Sequence, residues 1–482
     1  MKVKRVDSSR FAALRPLALI VMLAGVIVTH AEPDLWGHVR FGLDILESAR
    51  VVPPPVDPYS FTADRPFLYH EWLGGTVMAV SYRTAGGVGL QILKAAMALA
   101  IFGLVWSSVR GASFGWRWTA LALAAFGTLP ILLTLRPQLW TAIGVLVVVR
   151  IITAKTTRPL ILLPVVFALW ANLHGGWIVG GGIVAIATAV AMVQRDERRW
   201  LLLAAGAVSF AATLATPFGT QLWLFLAETV RLGRADVSEW QPIWRLGPDS
   251  IALWLATAVF AVITIRRFRV GLRDVAVVAL FAFAAAWVDR LGPLFTLVTI
   301  ALLSRHFPPQ PNGDVDRGTS RVVGVVDALA VAAAVAALFA IGIARPCIAV
   351  TPSLSPDTRA AEALRGRTGR LATFFDFGEY ALWHFGPALQ VSTDGRRETL
   401  YRDATFKAHL GVVNGTPIGL ETLEAMNADY AWLPAWSPAR SWLESNGYRI
   451  DVMTDHSFVA SRMGKPPLTP WLGESSGCFP GP

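Results

Sequence analysis

Apolar runs about as long as a bilayer is thick constrain this chain more than any other feature. FAALRPLALIVMLAGVIVTHA (11–31) and VVGVVDALAVAAAVAALFAIGIA (322–344) each match the roughly 20 residues that a helix needs to cross the hydrocarbon core. Comparable runs recur through residue 345. Charged residues make up 16% of the chain and its mean hydropathy is +0.50, whereas a soluble protein carries about 25% charged residues. The pattern predicts a polytopic α-helical membrane protein, with about 11–13 transmembrane helices over residues 1–345 and a small C-terminal α/β extracytoplasmic domain over 346–482. The first run is too long, and followed by too many others, to be only a cleaved signal peptide.

The formal net charge of +10 invites a nucleic-acid reading, but much of the excess lies in short loops between apolar runs. MKVKR opens the chain, and KTTR (155–158), RDERR (195–199) and RRFR (266–269) follow. Such loops obey the positive-inside rule, which places them in the cytoplasm of a multi-pass protein of the inner membrane and leaves no nucleic-acid partner. The first loop (31–71), NLHGGW (172–177), TPFG (216–219), 220–249 and DRLGP (289–293) then lie outside, and 305–321 lies inside. A last helix over about 322–345 delivers the C-terminal part to the outside. The run LGGTVMAVSY (73–82) is short for a crossing. If it crosses, one further span between 88 and 154 must be re-read, and the proline in GTLPILLTLRPQ (127–138) marks the place.

Both cysteines, Cys347 and Cys478, fall in the C-terminal region, where an oxidising compartment permits a disulfide between them. In that region SPDTRAAEALRG reads as a short helix with Ser355 as its cap. RLATFF, ALQVST, YAWLPAW and YRIDVM–HSFVASR read as strands, with helices at LETLEAMNA and SPARSWLESNG. DFGEY (376–380) stands without the other kinase motifs, so a kinase is excluded. In STDGRRE (392–398), Asp394-Gly395 reads as a strand-end turn. Arg396 and Arg397 read first as a solvated turn, and second as contacts to an anionic headgroup or glycan.

The outer side collects polar residues from distant parts of the chain. The first loop supplies Asp34, His38, Arg40, Asp44, Asp57, His70 and Glu71. Later segments add Arg136, Gln138, Asn172, His174, Glu239, Gln241, Asp289 and Arg290. Singly, each has a plainer account: a snorkelling helix end, a cap for Asp34, or, for FGLDILESA (41–49), a helix lying on the membrane surface. Together they suggest function, because ionisable groups near membrane depth are costly. Trp36, Trp72, Trp140, Trp177, Trp240 and Trp244 adjoin them, and aromatic faces suit the C–H faces of sugars as well as the interfacial belt. No strong metal-ligand spacing is present, although a divalent metal stays open. The glycines of GGWIVGGG (175–182) and GGVG (86–89) lack a Walker lysine and read as close helix contacts.

The motifs DLWGH (34–38), DPYSFT (57–62), HEWL (70–73), RPQ (136–138), WANLHGG (170–176), TPFG and EWQP (239–242) follow one another in an order that resembles bacterial membrane proteins of the GT-C glycosyltransferase superfamily. The resemblance covers most of the chain. It implies a GT-C-like fold, a large first extracytoplasmic loop, a polyprenyl-phosphate-linked sugar donor held in the lipid bilayer, and a glycan, lipid or protein acceptor on the outer face. It also implies that Asp34, as the matching first-loop acid, is the catalytic base or binds the acceptor. Glu32-Pro33-Asp34 stands where better-known branches carry adjacent acids, which leaves the part of Glu32 unassigned.

The chemistry of the residues agrees with this. Transfer needs a base for an acceptor hydroxyl and a cation for the departing phosphate, which the guanidinium fork suits. The expected catalytic set is Asp34, His38 and Glu71. The expected substrate-binding set is Arg40, His70, Arg136, Gln138, Asn172, His174, Glu239, Asp289 and Arg290. Two other readings stand beside a transferase: a non-enzymatic binder or transporter of lipid-linked saccharides, which needs no base, and a cell-envelope assembly protein.

Overall fold

A computed structural model describes residues 13–231, 234, 237–309, 332–337, 339–340, 345–351, 356–470, 473 and 477–481. Its helices begin with α1 (Leu14–Ile27), α2 (Asp34–Ser48), α3 (Trp72–Val109), α4 (Phe114–Leu132), α5 (Gln138–Ile152) and α6 (Leu163–Leu173). They continue with α7 (Trp177–Val193), α8 (Arg199–Ala212), α9 (Thr220–Arg231), α10 (Pro248–Arg267), α11 (Leu272–Trp287) and α12 (Gly292–Leu303). Contacts divide the chain into two compact units. One is helical: Met1–Thr29, Gln91–Thr216 and Gly233–Pro346. The other is an α/β unit drawn from His30–Leu90, Pro217–Leu232 and Cys347–Pro482.

In the helical unit α12 is buried from Pro293 to Leu303 and packs against α4, α5, α10 and α11. A helix that is apolar all round belongs in such a central position. The outer helices point Val165, Leu169, Val208, Phe210, Val259 and Phe283 away from the protein. An apolar exterior on this scale suits lipid rather than water. Trp72–Val109 and Pro248–Arg267 are long and apolar enough to cross a bilayer. Leu14–Ile27, Gln138–Ile152, Arg158–Leu173, Trp177–Val193 and Arg199–Ala212 are apolar but shorter. The expected crossings are thus clear by length and composition at two described helices, and the expected last one (322–345) falls mostly outside the described residues. Lys94 is buried within α3 and donates to the carbonyls of Gly25 (2.6 Å) and Val28 (2.7 Å) at the end of α1, where carbonyls lack helical partners and cations are favoured.

The run 73–82, short as a crossing, is the opening of the 38-residue α3. That helix is interrupted at Ala85 and Gly86, where Gly86 takes φ 57°, a left-handed geometry that glycine adopts without strain. In α4 the proline of GTLPILL is accommodated as Pro130 in the last turn.

The α/β unit continues with α13 (Thr358–Ala361), β1 (Gly369–Thr373), α14 (Phe375–His384), β2 (Leu389–Val391), α15 (Asp403–Val413) and α16 (Pro417–Met426). β3 (Tyr430–Pro434), α17 (Ala439–Ser445), β4 (Tyr448–Met453) and β5 (Ser457–Arg462) complete it. The sheet order is β2-β1-β3-β5-β4. β1 lies parallel to β2 and β3, while β3, β5 and β4 are antiparallel. β3 is buried along its whole length, as expected of a central strand covered on both faces. The strands therefore form at the expected places. The cap of α13 is Asp357, whose carboxylate accepts from the amides of Arg359 and Ala360, and not Ser355, which lies outside the described residues.

The first loop is built into this unit. Ser60 bridges Val391 at the β2 edge, and His30 bridges Ala349, which also bridges Cys478. Cys347 and Cys478 form a disulfide, as the sequence allowed. Arg396 is neither solvated nor turned to a headgroup. It is buried between Asp57 of the first loop and Asp394, with Asp394 accepting at 2.7–2.9 Å. Its guanidinium also covers the rings of Phe41 and Phe67. Arg397 lies over Phe406, 4.3 Å from the ring centroid.

Candidate functional site

In the α/β unit the site forms around the start of α2. Asp34 is half-buried in the first turn, where a carboxylate is favoured by the helix dipole. Among the described residues it makes no ion pair. The other first-loop acids are committed differently: Asp57 to Arg396, and Asp44 to Arg40. His38 follows Asp34 by one turn on the same helix face, and its carbonyl accepts from Tyr69.

An acid close to Asp34 comes from a motif with no expected role. Glu379, in DFGEY on α14, is buried, and its Oε2 accepts from the Gly37 amide at 3.0 Å. Gly395 separates the two acids. A Cβ there would lie 2.6 Å from Asp34 Oδ1 and 2.7 Å from Glu379 Oε1, so a side chain at this position would push the carboxyl groups aside. Burial holds the Glu379 carboxyl well above the usual carboxylate range, and the charges of Asp34, Asp394 and Glu32 add to the effect, with Arg396 opposing it. Burial and the neighbouring acids thereby favour the neutral form of Glu379.

Arg40 is spent inside its own network. It donates to Tyr59 (2.9 Å), Asp44 (2.6 Å) and Glu47 (3.3 Å). Burial raises the Asp44 pKa, against the hydrogen bonds and charge of Tyr59 and Arg40. His70 pairs with Glu71 at 3.3 Å and packs on Phe225 of α9. Burial pulls its pKa down, but Glu71, Glu398 and the Leu68 hydrogen bond together hold it above its ordinary value.

In the helical unit a second group gathers. Glu239 accepts from Arg136 at 3.4 Å and from Arg290. Arg234 and Arg290 both lie over the Trp240 ring, 4.1 and 5.8 Å from its centroid. Asp289 adjoins them through its amide, which donates to Gln241 O at 3.2 Å. Burial raises its pKa, relieved by Ser250 and reinforced by Glu239. Two arginines, Arg136 and Arg290, thus share one glutamate. Gln138 is buried at the start of α5. Asn172 donates to the carbonyls of Ala168 and Ala215. His174 Nδ1 accepts from the Gly176 amide (3.0 Å) and meets Thr141 Oγ1 (2.6 Å). Because Nδ1 accepts from the amide, the ring proton of the neutral histidine belongs on Nε2.

The structure therefore brings Arg136, Glu239, Asp289 and Arg290 together, pairs His70 with Glu71, and turns Arg40 and Asn172 to local partners. Glu379, Gly395 and Arg396 were missed as site residues. One signal was present: an acid between glycine and tyrosine in the largely apolar stretch FDFGEYALWH. Among the described residues no group of three or more His, Cys, Asp or Glu side chains is disposed to hold a metal.

No family model matches the chain, and no curated protein matches it. Among solved structures it is similar to ArnT from Cupriavidus metallidurans bound to undecaprenyl phosphate. That match has a TM-score of 0.51 and 12% identity, over 95% of this chain and 98% of that one. It is also similar to the arabinofuranosyltransferase AftD from Mycobacteria, with a TM-score of 0.45 and 15% identity, over 96% of this chain and 42% of that one. The likeness to ArnT is one of fold: the chain shares the overall architecture of that structure over 95% of its own length.

Proposed function

We propose that this chain is a membrane glycosyltransferase that moves a sugar from a polyprenyl-phosphate-type lipid donor to an acceptor outside the cytoplasm. Its likeness in fold to a structure that holds undecaprenyl phosphate supports the class of donor. Fold alone hosts many chemistries, so the reading rests on Asp34, a half-buried carboxylate without an ion-pair partner among the described residues, at a helix start beside a buried carboxyl.

In the reaction Asp34 takes the proton of an acceptor hydroxyl as that oxygen bonds to the anomeric carbon. The bond from the anomeric carbon to the phosphate oxygen breaks, and its electron pair leaves with the polyprenyl phosphate. Within the helical unit, Arg136 and Arg290 are the side chains suited to bind a phosphate, as arginine does through paired N–H donors. The His70–Glu71 pair and His38 hold hydroxyls of the sugar or acceptor. The proton on Asp34 passes to solvent before the next turnover.

The test is transfer in proteoliposomes carrying polyprenyl-phosphoryl sugars. Asp34→Asn is expected to lower turnover by about 10²–10⁴-fold, the worth of a general base, with unchanged membrane insertion and thermal stability. Wild-type turnover in that variant would exclude Asp34 as the base.

A further inference from the structure

The acids at the start of α2 differ in what they touch. Glu379 is fixed by the Gly37 amide at 3.0 Å and is buried. Asp34 is half-exposed. One oxygen of each lies within 2.7 Å of the point where a side chain at Gly395 would begin. The groups facing Glu379 are Asp34 on α2, Glu32 just before it, and Asp394 and Arg396 in the turn after β2. Tyr69, from the segment ahead of α3, also faces it. Arg396 is shared between Asp57 and Asp394, so its charge is largely spent before it reaches Glu379.

We propose that Glu379 is a positioning residue for Asp34: it stays protonated in the working enzyme, so the pair carries one negative charge and Asp34 holds it. This deepens the transferase reading and rests on Asp34 being the base. Two like charges so close cannot both ionise without strong repulsion, and the buried member of the pair is the one that keeps the proton. Asp34, nearer to water, is then the anion that an incoming hydroxyl meets. The space at Gly395 sets their separation, so the C-terminal domain supplies both the neutral partner and the spacer.

The experiment uses the full chain in lipid nanodiscs. Infrared difference spectra across a pH titration are expected to show a protonated-carboxyl band that persists through neutral pH and disappears in Glu379→Gln. Asp34→Asn, which removes the neighbouring charge, is expected to move the titration of that band to lower pH. Transfer assays then give the functional side. Glu379→Gln, which mimics the neutral acid, keeps transfer near neutral pH and loses the alkaline limb of the turnover profile. Gly395→Ala lowers turnover about 100-fold, as expected for a misplaced base.

A band absent at neutral pH, or unmoved by Asp34→Asn, would overturn the inference whatever the transfer assay shows. Loss of transfer in Glu379→Gln as complete as in Asp34→Asn would overturn it too, since Glu379 would then act as an anion. If the spectra behave as expected but wild type transfers no sugar from any donor tried, the coupling stands and the transferase reading fails.

Discussion

A carboxyl buried among other acids makes stability depend on pH in one direction. The Glu379 pKa is raised far above its ordinary 4.5 by burial, then by Asp34, Asp394 and Glu32. The folded state therefore holds this proton more tightly than the unfolded chain. Its contribution is complete below the unfolded pKa and is lost as pH rises toward the folded one. His70, also raised, has the same sign. Thermal unfolding followed from roughly pH 5 to 9 is expected to show falling stability in the wild type and a flatter profile in Glu379→Gln. An equally steep profile in both would place the titrating group elsewhere. Asp34 was legible in the sequence because a charged motif directly after an apolar run is conspicuous. Glu379 was not, because 342 positions separate it from Gly37 and no local pattern announces that pairing.

Among the elements, the turn after β2 does more than connect. Arg396 has a nearly inaccessible side chain and is bound by Asp57 and Asp394; Tyr401 adds a 3.0 Å hydrogen bond to Asp394. Removing one partner from a buried ionic network leaves uncompensated charge. Arg396→Met is therefore expected to cost about 3–5 kcal/mol in chemical denaturation. Combining it with Asp57→Asn and Asp394→Asn is expected to recover part of that loss. A loss no larger than that of a surface arginine would show that the network contributes little. The strands of this region and the helices α13, α16 and α17 were readable from alternation and turn residues, whereas α14 and α15 were not read as helices. The turn itself was misread as solvated, because a charged strand-end sequence looks the same whether water or a second segment meets it.

For the molecule as a whole, the α/β unit is assembled from three separate stretches of chain and closed by a disulfide spanning 131 positions. Replacing Cys347 and Cys478 by serine is expected to lower the unfolding free energy of this unit by about 2–5 kcal/mol. Denaturation of the oxidised wild type against the variant measures it, and coincident curves would refute it. What the sequence by itself determined is the solvent each part was made for. Runs of apolar residues can be satisfied only in lipid or a deep core, basic loops have a preferred side, and alternating strands need a sheet. Hydrophobic length and periodicity are local properties, so they survive reading along one dimension. Only the tertiary structure decided which acids meet. It set the buried carboxyl of α14 near Asp34, spent Arg40 on Tyr59 and its own helix, and gathered two arginines on Glu239. Those outcomes depend on distance and burial between residues far apart in the chain, and electrostatic energies take their size from both.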